Sequence, residues 1–541
     1  MKKILYTLLL ASTVFVSCDD RLDELNTDKK NPSTFPPEAL FASATREVVD
    51  NIVSMSVNDN PFRLYSQMWA QTTYPDESQY TMTAREIPLS IYTNQYRDVL
   101  IDLKDSKTGI QAQLDDPTNV IPEQTLRNQM AVIDILMGYT YITLVDIFGD
   151  VPYSEALDPD NLDPVYDDAR SIYNSVEDIL TTSSTLLAAN TAAGGFGSSD
   201  LVYGGDVDAW ATFANSIKLR MAMKLADVDA ATSIAWANEA MAAGVISTNA
   251  QNFSMAYQGS SPNSSPLHED LVLSGRADFV ASNTLVDALN ERLDPRLMTF
   301  TRNPIDYGWN VDDNGMAQDS TFTSNMIIEY YDEDGEMTSR DFMVAPFTLA
   351  AADSATLGEV TMYKGGTYGD ANAYSTNSQV GDILHTPSYP GTLYNAAETH
   401  FLMAEMIERG GYTVAGTAEA HYNAAITASF DQWGVAGVAT YLARPEVAYT
   451  TADGGSGDWK QIIGTQMWLG LYNQGLEGWS TWRRLDFDGF TPPPGMTMAD
   501  IPNRMTYPLR EATLNGTSLA AAQAKLTGGD EASSKIFWDV N

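Results

Sequence analysis

The chain has 541 residues, with 71 acidic against 31 basic side chains and a formal net charge of −40 at pH 7. A surface of that sign repels nucleic acid and anionic lipid headgroups, which excludes nucleic acid as a partner and leaves neutral ligands unaffected. With 44% hydrophobic residues the chain can bury a large core, and its one cysteine, Cys18, excludes an internal disulfide.

The N-terminus runs from Lys2 and Lys3 through an apolar stretch, Ile4 to Val16, into Ser17 and Cys18. That order is the charged, apolar and processing region of an export signal, too short to span a bilayer. The small residue before a cysteine, in Phe15-Val16-Ser17-Cys18, fits a lipoprotein cleavage site, so residues 1–17 are expected to be removed and Cys18 lipidated. Residues 18–37, acidic and then proline-containing, read as an extended tether, with the folded domain at 38–541. No later segment is expected to be apolar enough for a transmembrane helix, which leaves the lipid as the membrane attachment.

Apolar residues then recur at steps of three or four from Leu126 to Phe148, and Gly149 and Pro152 close that helix. A second such run, Trp210 to Leu225, follows Asp206 as N-cap, and a third pair covers Tyr394 to Arg409 and Ala418 to Phe430. Paired helices of this length predict a mainly α fold of tetratricopeptide-like hairpins without a strict repeat period. Within the folded domain, the helical scaffold is expected at about 38–245 and 391–541. Residues 246–390, rich in Ser, Asn, Gly, Asp and Tyr, are expected to form a long, irregular, ligand-binding insertion with a few short strands.

Several segments, in order, resemble the SusD/RagB family of outer-membrane nutrient-binding lipoproteins. They are Tyr139 to Val145 with Asp146-Ile147-Phe148-Gly149-Asp150-Val151-Pro152-Tyr153-Ser154-Glu155-Ala156; Tyr203-Gly204-Gly205-Asp206 with Trp210 and Asn215 to Arg220; Tyr394 to Glu398 with Ala404-Glu405; Trp479 with Trp482-Arg483-Arg484; and Ile501 to Pro508 with Glu511, Asn515 and Trp538-Asp539. The resemblance implies a lipid-anchored protein on the extracellular face of the outer membrane. Such a protein caps a TonB-dependent, SusC-like barrel transporter and hands it an oligosaccharide, or in some members a peptide. The acidic stretch after Cys18 is similar to the surface-export signal of such lipoproteins.

A sugar offers apolar C–H faces edged with hydroxyls, so its site needs exposed rings beside polar groups. Trp69, Tyr74 and Tyr80 supply rings in a stretch with Asp76, Glu77 and Gln79, and Tyr65 shares a helical face with Trp69 as a core residue. Tyr307 and Trp309, hinged at Gly308, form a second pair, and Asn263 and Arg276, with Asp278, offer polar contacts. Tyr257, Tyr330, Tyr331, Tyr363, Tyr368 and Tyr374 read as loop packing. The Gly149 to Tyr153 turn and the Trp479/Trp482/Arg483/Arg484 cluster read as structural.

No catalytic residue is assigned, since nucleophile-elbow, phosphate-loop and dinucleotide motifs are absent. A glycoside hydrolase remains the alternative class, because two well-placed carboxylates suffice for it. His268, His385, His400 and His421 show no zinc spacing, so no metal ligands and no cofactor are expected. Asn310, Asp312, Asn314 and Gly315 match four positions of a calcium loop whose last position is Thr321 instead of Glu, so a solvated turn is read there. Structural calcium is the one ion that so acidic a composition leaves open.

Overall fold

The computed structural model describes residues 35–540 except 303–304, 307–313, 315, 317, 323–325, 332–336, 344–345 and 353–360. Cys18, the leader, most of the tether, Tyr307 and Trp309 lie outside the described residues, and the strands at Tyr330 and Tyr331 are described by backbone alone.

Ten helices carry the architecture: α1 Pro37–Val53, α2 Ile101–Asp115, α3 Glu123–Phe148, α4 Ala169–Ala189, α5 Val207–Lys224, α6 Ala230–Ala243, α7 Ala396–Arg409, α8 Ala418–Trp433, α9 Trp459–Gly470 and α10 Gly475–Leu485. Each packs on the next along α2 to α6 and along α7 to α10, except that α9 lies mainly on α7, and α1 closes on α2. The fold is thus mainly helical, built of hairpins, with few short strands.

The helix starts follow from local chemistry. Asp168, Asp206, Asp229, Asn395, Thr417 and Asp458 each accept a backbone N–H of the first turn through the side chain. Each such cap stabilises its helix by about 1 kcal/mol. Helix α3 stops at Gly149, whose φ of 91° and ψ of −125° suit glycine alone.

One expectation is corrected here. Helix α3 is long and apolar enough to cross a membrane, yet 89% of its most apolar window is buried inside the protein. It is a core helix, walled by α2, α4 and α5.

Several charged groups buried between the helices are paired. Lys224 donates to Asp146 at 2.6 Å and lies 3.2 Å from Glu477, while Arg220 holds Glu398 through two contacts of 2.6 and 2.7 Å. Tyr173 and Trp538 both donate to Asp146, at 2.5 and 2.8 Å. Although burial raises it, Arg220 and Lys224 hold the Glu477 carboxyl below its ordinary value. The guanidinium of Arg483 lies 3.6 Å from the centre of the Trp479 ring and donates to the carbonyls of Asp146 and Asn503. Burial pushes Arg483 down to about 10. Trp479, Trp482, Arg483 and Arg484 are all buried, so this cluster is structural.

The strands tie distant segments together. A four-stranded sheet runs in the order Trp69–Gln71, Phe279–Ala281, Gln379–Val380, Thr301–Arg302. Its first pair is antiparallel, with Trp69 opposite Ala281 and Gln71 opposite Phe279. The strands Met326–Tyr331 and Met337–Met343 form a separate hairpin.

Candidate functional site

The register at Gln71 and Phe279 decides where the site forms. It brings the chain leaving the first strand, at Thr72, against the chain entering the second, at Asp278. Thr72 N–H donates to the Asp278 carbonyl at 2.9 Å and its hydroxyl to the Ala277 carbonyl at 2.6 Å. Asn372 donates to the Gln71 carbonyl at 3.0 Å and adds a third segment. The cavity of about 170 Å³ left between them is lined by Gln71, Thr73, Tyr74, Arg85, Asp270, Arg276, Asp278 and Tyr374, with Met55 to Asn58 at one end.

The loop that carries Tyr74 is held from beneath. Glu77 has no exposed surface, accepts from Gln71 Nε2 at 2.6 Å and pairs with Arg85 at 2.5 Å. Gln71 Oε1 in turn accepts from the N–H and hydroxyl of Ser78. Three non-glycine residues of this loop, Tyr74, Tyr80 and Glu86, sit in the left-handed region with φ of 53°, 62° and 51°. Such backbone is costly for residues with a Cβ, and it persists where surrounding contacts over-determine it. The result is that Tyr74, at the rim of the cavity, is 69% exposed.

The charges around the cavity are matched in sign. Arg85 is bound to Glu77, and Arg276 Nε donates to Asp278 at 2.5 Å. Asp270 faces no such partner at close range among the described ion pairs, and burial, with Arg63 opposing and Asp59 adding, pushes its carboxyl above the ordinary value. Leu271, Ala277 and Phe279 add apolar surface to the lining. Tyr374, half-buried, accepts from Arg302 at 3.1 Å. The cavity therefore offers an exposed ring, apolar edges, and donors and acceptors without net charge excess. That is the surface a neutral, hydroxyl-rich ligand fits.

Of the residues singled out in the sequence, Tyr74 and Arg276 line this cavity, as do Asp278 and Tyr374. Trp69 does not: it is 1% exposed, bonded to the Tyr472 hydroxyl at 3.2 Å and covered by the Arg63 guanidinium. The helix that would have put it beside Tyr65 ends at Tyr65, and Gln67 turns the chain at a φ of 53° into the strand. Tyr80 is packed on Tyr65 and Tyr368, with its phenol pushed up to about 12 by burial. Asn263 accepts from Arg46 at 2.8 Å and lies outside the cavity lining. Arg85, Asp270 and Gln71 were missed. Only Asp270 had a signal, as part of the acidic run after His268.

A second groove, of about 380 Å³, lies between α2, α3 and α4, lined by Met137, Tyr141, Tyr153, Val176 and Ile179. Its two lysines are already engaged, Lys107 with Asp134 and Lys104 with the Leu157 carbonyl. Among the described residues there is no cluster of three or more metal-ligating side chains.

A family described as starch-binding and associating with the outer membrane, SusD-like, matches residues 29–352 and 337–508. No curated protein matches. Among solved structures, a protein described as chitin-binding is 24% identical, with a TM-score of 0.70 over 93% of this chain and 100% of the other. A chitin-binding SusD homologue from Flavobacterium johnsoniae is 22% identical at a TM-score of 0.69, covering 93% and 98%. A SusD homologue from Bacteroides uniformis is 21% identical at 0.68, covering 93% and 99%. At these identities the likeness establishes the fold.

Proposed function

We propose that this chain, which belongs to the SusD-like family described as starch-binding and associating with the outer membrane, is a glycan-binding protein that does no chemistry on its ligand. The observation that carries this reading is Tyr74, an aromatic ring held outward on left-handed backbone above a cavity edged by Arg85, Asp270 and Arg276. An exposed ring stacks on the C–H face of a sugar, and the polar rim bonds its hydroxyls. Solved structures of the same fold described as chitin-binding support a carbohydrate ligand.

The finer reading places the protein on the extracellular face of the outer membrane, anchored through lipid on Cys18. There it delivers oligosaccharide to a TonB-dependent, SusC-like transporter. A Cys18→Ala chain that still fractionates with the outer membrane, in cells without the transporter, would defeat the anchor.

Affinity electrophoresis of the full chain against soluble polysaccharides tests the ligand class. Retardation in at least one gel is the expected result, and none in any would reject it. Product analysis after prolonged incubation tests the absence of chemistry, because Asp270 and Asp278 share the cavity. Turnover that disappears in Asp270→Asn would replace the binding reading with hydrolysis.

A further inference from the structure

The chain has four histidines, and the α7–α8 hairpin brings two of them face to face. His400 and His421 have ring centroids 5.5 Å apart, planes inclined by 25°, and Nδ1 atoms separated by 3.3 Å. The other nitrogen of each ring lies on a backbone carbonyl: His400 Nε2 at 3.1 Å from the Ser247 oxygen, His421 Nε2 at 2.8 Å from the Ala415 oxygen. A carbonyl oxygen only accepts, so both Nε2 atoms carry their hydrogen. A neutral imidazole has one N–H, and two bare Nδ1 lone pairs are therefore left facing each other.

Facing lone pairs call for a cation between them, and the separation of the two nitrogens matches that of two ligands on one metal ion. Two imidazole nitrogens bound at about 2.0–2.1 Å to one tetrahedral ion stand roughly 3.3 Å apart. The nitrogens lie on the line between the rings, so ligation needs each ring to turn by roughly 35° toward the ion. Both rings are half-buried, and solvent reaches the pair. Their Nε2 contacts are also the arrangement found behind metal-bound histidines, where a carbonyl fixes the tautomer and keeps the ligating nitrogen free.

We propose that His400 and His421 form a two-histidine site for a divalent transition metal, which clips α7 to α8 and takes water at its remaining positions. Imidazole nitrogen selects copper, nickel or zinc over calcium and magnesium, and an open site of two ligands gives exchangeable binding. The site shares no residue with the ligand cavity, so it stands independently of the glycan reading.

Cu²⁺ is the probe, because it binds nitrogen sites most tightly of the divalent series and reports its ligands by electron paramagnetic resonance. With the full chain, one Cu²⁺ showing coupling to two imidazole nitrogens is expected. Its affinity should fall about tenfold or more in His400→Gln and in His421→Gln, and hold in His268→Gln. Melting curves without metal check that the variants fold. Equal affinity in wild type and His421→Gln, or an equal loss in His268→Gln, would overturn the site. So would an Nδ1–H signal assigned to His400 or His421 in ¹⁵N NMR that persists when Cu²⁺ is added, since His268 and His385, whose Nδ1 atoms lie on carbonyl oxygens, keep theirs in either case.

Discussion

Replacing Tyr74 by glycine separates binding from stability more cleanly than replacing it by alanine. At a φ of 53° the tyrosine bears left-handed strain of roughly 1–2 kcal/mol, which glycine relieves. Glycine in turn loses about 0.5–1 kcal/mol through its freer unfolded chain. The two nearly offset, so the unfolding free energy should stay within about 1 kcal/mol of wild type. Binding should not survive unchanged. A sugar covering roughly 100 Å² of Tyr74, a residue that is 69% exposed, contributes about 2.5 kcal/mol at 25 cal/mol per Å². Counting only the stacking preference gives a lower bound near 0.5 kcal/mol. The expected loss is therefore more than about twofold and up to about seventyfold in Kd. Calorimetry with a soluble oligosaccharide measures the first quantity and urea denaturation the second. A Kd within twofold of wild type, at unchanged stability, would refute the role given to the ring.

Three other perturbations probe the parts that hold the site in place. Glu77→Ala leaves Arg85 and Gln71 Nε2 without their shared acceptor, and a loss of about 1–3 kcal/mol in urea denaturation with weaker glycan binding is expected; unchanged binding would mean that the loop holds Tyr74 without this network. Lys224→Met strands the buried Asp146 carboxylate and should cost about 3–5 kcal/mol, measured the same way, whereas a change below about 1 kcal/mol would contradict the pairing. Asp287 keeps its proton to about pH 6 in the folded chain because burial, with Glu291 nearby, disfavours its charge. The unfolded chain releases that proton near pH 4, so this group lowers stability as pH rises between about 4 and 6. Asp287→Asn should therefore be more stable than wild type by on the order of 1–3 kcal/mol at pH 7 and equal to it below pH 4; a difference independent of pH would refute the cause.

The helices were legible because a buried stripe repeats with the helical period, and the Asp and Asn caps stand where it begins. Trp69 shows how that signal misleads. Its spacing from Tyr65 fits a helix, but the turn at Gln67 lies between them, and nothing in the residue type announces left-handed backbone there. Glu77 misleads differently. It reads as a solvated loop acid, yet has no exposed surface, because Arg85 and Gln71 supply its partners and local pattern does not reveal them. The cavity joins Thr72 to Asp278 across some two hundred residues, so its lining depends on strand register that sequence spacing does not encode. The same applies to His400 and His421, which the antiparallel return of α8 on α7 brings together.

In the proposed function the loop at Tyr74 and the segment from Asp270 to Phe279 together form the glycan site. Amide hydrogen exchange, with and without a bound oligosaccharide, tests it most directly. Slower exchange confined to residues 72–86 and 270–279 is the predicted result. Protection confined instead to the groove lined by Tyr141 and Tyr153 would contradict it.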